Sequence, residues 1–222
     1  MCFSFESSIT SYIIGVIASS LLLLSKNNTN KHIGFFSLCF VQMQFAEALM
    51  WSDINCKSNL NHYGSILAHL ILTLQPLSIL IGAYYLNNTI IPKNILQVLI
   101  IVYCVPLLMA IYHHFIKKPV KLCSLNTSKN KGELVWDFNM DRNSLIWKIY
   151  SFFYLICLFF TWLFLKDKLK GNLMFTLLII TIILSVVYTK SIKPDKFLND
   201  WESKWCFYAV GIPVFFNLIN NS

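Results

Sequence analysis

Apolar windows close to the length that crosses a bilayer recur along this chain, at residues 9–25, 33–52, 63–86, 95–116, 145–165, 173–189 and 205–219. A membrane helix needs about 20 apolar residues, within a range of roughly 17–25. In lipid every backbone N–H and C=O must find a partner inside the protein, so such windows fold as helices unless they alternate like barrel strands. No such alternation runs through them. Lysine- and asparagine-rich turns separate several of them, at 26–32, 87–94 and 166–172. The expected fold class is therefore all-α, a polytopic integral membrane bundle of about seven transmembrane helices. It forms a single membrane domain over residues 1–222. The long connection 117–143 holds Trp136 amid mixed charge and is either a cap packed over the bundle, the preferred reading, or a mobile loop.

Composition closes off the main alternatives. Charged residues make up 13% of the chain and hydrophobic residues 56%, against roughly 25% and 45–50% in soluble domains. A water-soluble enzyme of this size could not hide that much apolar surface. The net charge of +8 is dispersed through the turns, as expected of loops at a lipid headgroup surface. The partner this implies is the lipid bilayer and not nucleic acid. The leader before the first window carries Glu6 and no lysine or arginine, unlike the basic start of a cleavable signal peptide. A retinal-linked protein is excluded too, because the last window, 205–219, has no lysine.

Basic residues also predict orientation. With seven crossings, the N-terminal face collects Lys57, Lys117, Lys118, Lys121, Lys129, Lys131, Arg142, Lys190, Lys193, Lys196 and Lys204, eleven in all. The opposite face collects Lys26, Lys31, Lys93, Lys166, Lys168 and Lys170, six in all. The positive-inside rule then predicts a cytoplasmic N-terminus and an external C-terminus. Asn27-Asn28-Thr29 and Asn87-Asn88-Thr89 are acceptor sequons on the side this places outside.

Ionisable groups inside membrane helices cost roughly 2.5–3.5 kcal/mol at the bilayer centre, so those present are informative. Glu47 lies in the second window, with Gln44 and Trp51 on the same helical face at i−3 and i+4. His69 lies in the third window, with His62, Ser65 and Thr73 on its stripe. The two windows form a hairpin, and Glu47 and His69 sit at matching depth, about 10 Å from the N-terminal face at 1.5 Å per residue. They are expected to meet, directly or through one water, as an acid–base pair. The same face gathers Cys2, Ser4, Cys56, His113, His114, Cys123 and Cys206. Cys56 and Cys123 can be joined only if that face is oxidising, which the lysine count opposes. Cys39, Cys104 and Cys157 read as apolar fillers. No CxxC or HxxxH element is present, so no cofactor is named; Cys2, His69 and Glu47 are the candidate metal ligands. Prolines at Gln75-Pro76, Val105-Pro106 and Ile212-Pro213 free carbonyls inside their helices and can open a cavity beside polar side chains.

The opening Met1-Cys2-Phe3-Ser4 and the stretch Gln44-Phe45-Ala46-Glu47-Ala48-Leu49-Met50-Trp51 resemble a bacterial and viral family of small polytopic membrane proteins. Its members begin Met-Cys-Phe-Ser or Met-Cys-Trp-Ser and carry Gln-x-x-Glu-x-x-x-Trp in the second helix. Gln75-Pro76 is similar to a polar-Pro element in their third helix. The resemblance covers about the first 80 residues and implies a shared membrane fold without naming an activity. It singles out Cys2, Ser4, Gln44, Glu47 and Trp51. Methionine removal would expose Cys2 as an N-terminal residue whose amine and thiolate can chelate a metal or attack an acyl group.

Three functions fit these residues. One is a small proton or cation transporter or channel using Glu47 and His69, with Ser4, Gln44, Trp51 and Gln75 lining the path. Another is a membrane-embedded enzyme on a lipid or other amphiphile, with Cys2, Glu47 and His69 catalytic. The third is a non-catalytic structural membrane protein.

Overall fold

The structure, a computed structural model, describes residues 4–117, 120–126, 134–139, 145–192 and 201–220. Among these the chain is almost wholly helical: α1 (Phe5–Leu24), α2 (Asn28–Ser52), α3 (Leu60–Leu86), α4 (Lys93–Ile111) running into a π-helical turn (Tyr112–Ile116), α5 (Leu145–Leu163), α6 (Lys168–Ile192), α7 (Trp201–Ala209) and α8 (Gly211–Asn220). Five helical stretches are long and apolar enough to cross a membrane: Phe5–Leu24, Asn28–Ser52, Leu60–Leu86, Lys93–Ile116 and Lys168–Tyr188. The apolar stretch Trp147–Leu163 of α5 is shorter.

Helices α1 and α2 begin four to five residues earlier than hydropathy alone places them, because polar residues cap them. Ser4 takes the N-cap of α1 and accepts from the Ser7 amide at 3.2 Å. Asn27 caps α2, its Oδ1 accepting from Thr29 N at 2.8 Å and Asn30 N at 3.1 Å. A cap oxygen satisfies amides that lack an intrahelical partner, so the helix extends into a polar stretch. The last window is broken in two at Val210. Pro213 falls in the first turn of α8, where its missing N–H costs nothing, while its ring crowds the carbonyl four residues back.

At the centre lie α2 and α3, with 67% and 72% of their apolar windows buried against 17% in α4. Small residues let them approach. A Cβ on Gly64 of α3 would lie 2.8 Å from the Ala46 carbonyl oxygen of α2, and one on Gly34 of α2 would lie 2.8 Å from the Ser19 carbonyl oxygen of α1. Membrane helices associate mainly by such close packing, since lipid supplies no hydrophobic drive between them. Gly64→Ala is therefore expected to force α2 and α3 apart and destabilise the protein by about 1–3 kcal/mol, read as a lowered thermal midpoint in detergent.

One end of the bundle is sutured turn to turn. Ile90 N donates to Phe164 O and Lys166 N to Asn88 O, both at 2.8 Å. Lys170 Nζ reaches Asn30 Oδ1 at 2.7 Å and Asn220 Oδ1 at 3.0 Å, and Asn217 Nδ2 donates to Ala18 O at 2.8 Å. His32, which the sequence places at the edge of a turn, is fully buried here. Its Nε2 bonds Ile79 O at 2.8 Å and its Nδ1 accepts from Asn88 Nδ2 at 3.1 Å.

The other end carries the cap. Leu125–Asn126 and Leu134–Val135 pair as the antiparallel strands β1 and β2. Leu122, Leu134, Trp136 and Phe138 are buried. Asn61 on α3 pairs with the cap backbone as a strand would, Ser124 N to Asn61 Oδ1 at 2.7 Å and Asn61 Nδ2 to Ser124 O at 2.8 Å. Ser65 Oγ and Ser124 Oγ lie 2.7 Å apart, and Asp137 N donates to Ser124 Oγ at 2.9 Å. Asp53 closes the α2–α3 turn. Amide donation, first from Ser58 and then from Asn61 and Lys57, holds its carboxyl below the ordinary value of 3.8.

Two readings of the sequence are corrected at this end. Cys56 and Cys123 are joined in a disulfide, with Cα atoms 5.8 Å apart, which ties the α2–α3 turn to the cap. The lysine count opposed that bond; the two partners are brought together by Asn61, which anchors Ser124 beside Asp53 and the turn. Lys204, counted among loop lysines, is 1% exposed and sits under the Tyr188 ring at 5.3 Å.

Candidate functional site

Glu47 lies in the last two turns of α2, at the cap end of the α2–α3 contact, and is fully buried. Gln44, one turn before it on the same face, donates from Nε2 to Glu47 Oε2 at 3.1 Å. The second described donor comes from far along the chain: Trp136 Nε1 reaches Glu47 Oε1 at 3.2 Å. The cap thus places an indole over the carboxyl group and seals it from that end. Burying a carboxyl without partners costs several kcal/mol, and each hydrogen bond offsets part of that.

His69 is also buried, but it faces a different partner. Its Nδ1 lies 2.7 Å from Nε2 of His114, in the π-helical turn that ends α4. Its ring stacks on Phe138 at 5.0 Å and 16°, and Phe138 in turn meets Trp136 at 5.9 Å. The expected direct Glu47–His69 bond is not formed. The two groups are instead linked through two cap aromatics, Glu47–Trp136–Phe138–His69, with His114 beyond His69. Glu47 takes its described donors from Gln44 and Trp136, while the His69 ring is held against Phe138 and His114.

The remaining sequence candidates divide. Ser4 serves as the helix cap already described. Trp51 packs against the core, and its Nε1 has no hydrogen-bond partner among the described residues. Gln75 accepts from the Tyr154 hydroxyl through Oε1, and its buried Nε2 has no partner among the described residues. Cys2 lies outside the described residues. Among them, no group of three or more His, Cys, Asp or Glu is arranged to hold a metal ion.

Beside this bridge is a cavity of about 90 Å³, lined by Leu72, Trp136, Trp147, Tyr150, Ser151, Tyr154, Leu155, Trp205 and Cys206. Pro76 helps create it. Proline removes the donor that would have bonded the carbonyl four residues back, Leu72 O. The Tyr150 hydroxyl supplies that donor from α5 at 3.4 Å, which props the phenol along the cavity wall. Trp136 lines the cavity and holds Glu47, and Tyr154 lines it and holds Gln75. Two buried polar groups therefore stand one aromatic residue behind an apolar chamber. Its rim on α5, at Leu155, is 36% exposed beside the outward-facing Phe152 and Ile156.

Sequence reasoning missed Trp136, Tyr150 and Tyr154 as site residues. A tryptophan inside a lysine-rich connection is the one signal that pointed to the first; tyrosines in an apolar helix give none. No protein-family model matches the chain, and neither the curated proteins nor the solved structures searched give a match.

Proposed function

We propose that this membrane-embedded bundle binds an amphiphile in the aromatic cavity, with Glu47 behind Trp136 orienting the indole that the ligand meets. The observation that carries this reading is the double role of Trp136, which lines the chamber and donates to the buried carboxyl. Ligand sites are typically apolar chambers with a few convergent polar groups, and this one has that composition. The half-exposed rim on α5 favours entry from the bilayer rather than from water. In this reading α7 and α8 together make a seventh traverse, since Asn220 joins Lys170 and Asn30 at the end opposite the cap. The disulfide favours an oxidising compartment at the cap face, which reverses the orientation drawn from lysine counts.

The test uses the cavity's own tryptophans. Titrating the purified full chain in detergent with a brominated-chain phosphatidylcholine is expected to quench fluorescence saturably. Ser151→Phe, which fills the chamber, should weaken that saturable phase by about tenfold or more, equivalent to roughly 1.4 kcal/mol. Unsaturable quenching identical in both proteins would refute amphiphile binding here.

A second reading is favoured by the fully buried Glu47 carboxyl: proton or cation transport. It requires Glu47-dependent flux in sealed liposomes, and the brominated lipid would then show no saturable site.

A further inference from the structure

A second pocket, of about 50 Å³, opens on the cap side of the bundle and is lined by His62, His113, His114, Lys117, Val120, Leu122 and Asn139. Nothing in the amphiphile reading uses it. Four of its seven lining residues are nitrogen bases and none is a carboxylate. Among the described residues, the acids of the cap and the α2–α3 turn are engaged by backbone amides: Asp137 accepts from Cys123 N at 3.2 Å and Asn139 N at 2.9 Å, and Asp53 accepts from Lys57 N at 2.9 Å and Ser58 N at 3.0 Å.

The hydrogen-bond geometry fixes the sense of His62. His62 Nδ1 accepts from the Leu122 amide at 3.1 Å, so its proton resides on Nε2 and that edge donates. His114 Nε2 meets His69 Nδ1, and when His69 donates in that contact, His114 carries its proton on Nδ1. The π-helical winding of 112–116 brings the His113 and His114 rings to 5.0 Å, and Lys117 follows at the end of the turn. Such wide turns inside α-helices occur most often at functional sites. The last carbonyls of a helix carry partial negative charge, but Lys117 N caps Tyr112 O at 2.9 Å and its ammonium adds a full positive charge.

We infer that this pocket binds a phosphate group, held by the His62, His113 and His114 imidazoles and the Lys117 ammonium. A single water needs roughly 10–15 Å³ measured in this way, so the space admits a few oxygen-sized groups. Imidazole N–H and ammonium donors form charge-assisted bonds to phosphate oxygens, which are stronger than neutral ones. The occupant is a compact phosphate, either free or at the head of a lipid. Binding selects the His114 tautomer that donates from Nδ1, and so orders the His69–His114 contact that abuts Phe138.

The experiment titrates the full chain in detergent with inorganic phosphate in one arm and with phosphatidic acid micelles in the other. Wild type, His113→Gln and Lys117→Gln are compared, with 15N NMR of labelled histidine as a second readout. Saturable binding in either arm, weakened about tenfold or more by both variants and accompanied by a shift of His114 Nδ1 towards the N–H form, supports the site. Binding of inorganic phosphate identifies a free anion as the source, and binding of phosphatidic acid alone identifies a lipid head. No saturable binding in either arm, or binding indifferent to both variants, overturns it. Both substituted side chains line the surface of the pocket and neither is fully buried, so an unchanged thermal midpoint is expected.

Discussion

Replacing Cys56 and Cys123 by serine lowers the stability of the purified protein by about 2–4 kcal/mol and its thermal midpoint on the order of 5–10 °C. The bond spans a sequence separation of 67, and closing a loop of that length removes roughly 4 kcal/mol of chain entropy from the unfolded state. In a bilayer or micelle α3 and α4 stay helical when the rest opens, so the lower half of the range is reached there. The loss is expected to be concentrated at the cap. With the turn and the 120–126 segment untied, Asn61 and Ser124 must hold the cap by hydrogen bonds alone, and Trp136 loosens over Glu47. Differential scanning of the intact and reduced wild type beside the double variant checks this. Equal midpoints in all three would show that the polar network at Asn61 suffices without the covalent tie.

Glu47→Leu has the larger local effect. It takes an acceptor from the Gln44 amide and from the Trp136 indole, two buried donors, at about 1–3 kcal/mol each. A destabilisation of roughly 2–6 kcal/mol follows, with poor recovery of folded protein. Glu47→Gln keeps one acceptor oxygen for the Trp136 indole, and its new N–H donor is met by the Gln44 amide turned to present Oε1, so it should fold with a midpoint within a few degrees of wild type. It is expected to insert normally yet lose the saturable amphiphile binding, or the liposome flux if transport is the activity. A Glu47→Gln protein that retains full function in both assays would make the carboxyl a packing element. Trp136→Phe separates the two roles of that residue, since it keeps an aromatic wall for the cavity and removes only the donor to Glu47.

Hydropathy locates the helices because unsatisfied backbone in lipid is costly at every residue, and that cost acts over whole windows. It misses where they start, because Ser4 and Asn27 act through single hydrogen bonds that leave no trace in a sliding average. Glu47 and Gln44 are legible as one helical face. Their partner Trp136 is not, since a contact across 89 residues depends on how the cap folds. The same holds for His69, whose neighbour on the sequence-derived hairpin is Glu47 but whose partner in space is His114, supplied by a helix end that turns inward. The disulfide illustrates a conflict between two sound rules. Lysine counting weighs whole loops, whereas a disulfide reports the chemistry of one face, and Lys204 shows how a residue counted in a loop can be withdrawn into the bundle.

The Cys56–Cys123 bond also makes a closed covalent ring of the segment it spans, with α3 and α4 inside it. A single backbone cut within the ring, for example after Lys93 in the turn at the far end, leaves both pieces attached until a reductant is added. A cut after Lys26 or Lys166 falls outside the ring and releases a fragment at once. With one protease applied to one side of a sealed membrane, the sizes of the fragments that separate only after reduction tell a cut at Lys93 from cuts at Lys57, Lys117 or Lys121, and so report which face was exposed.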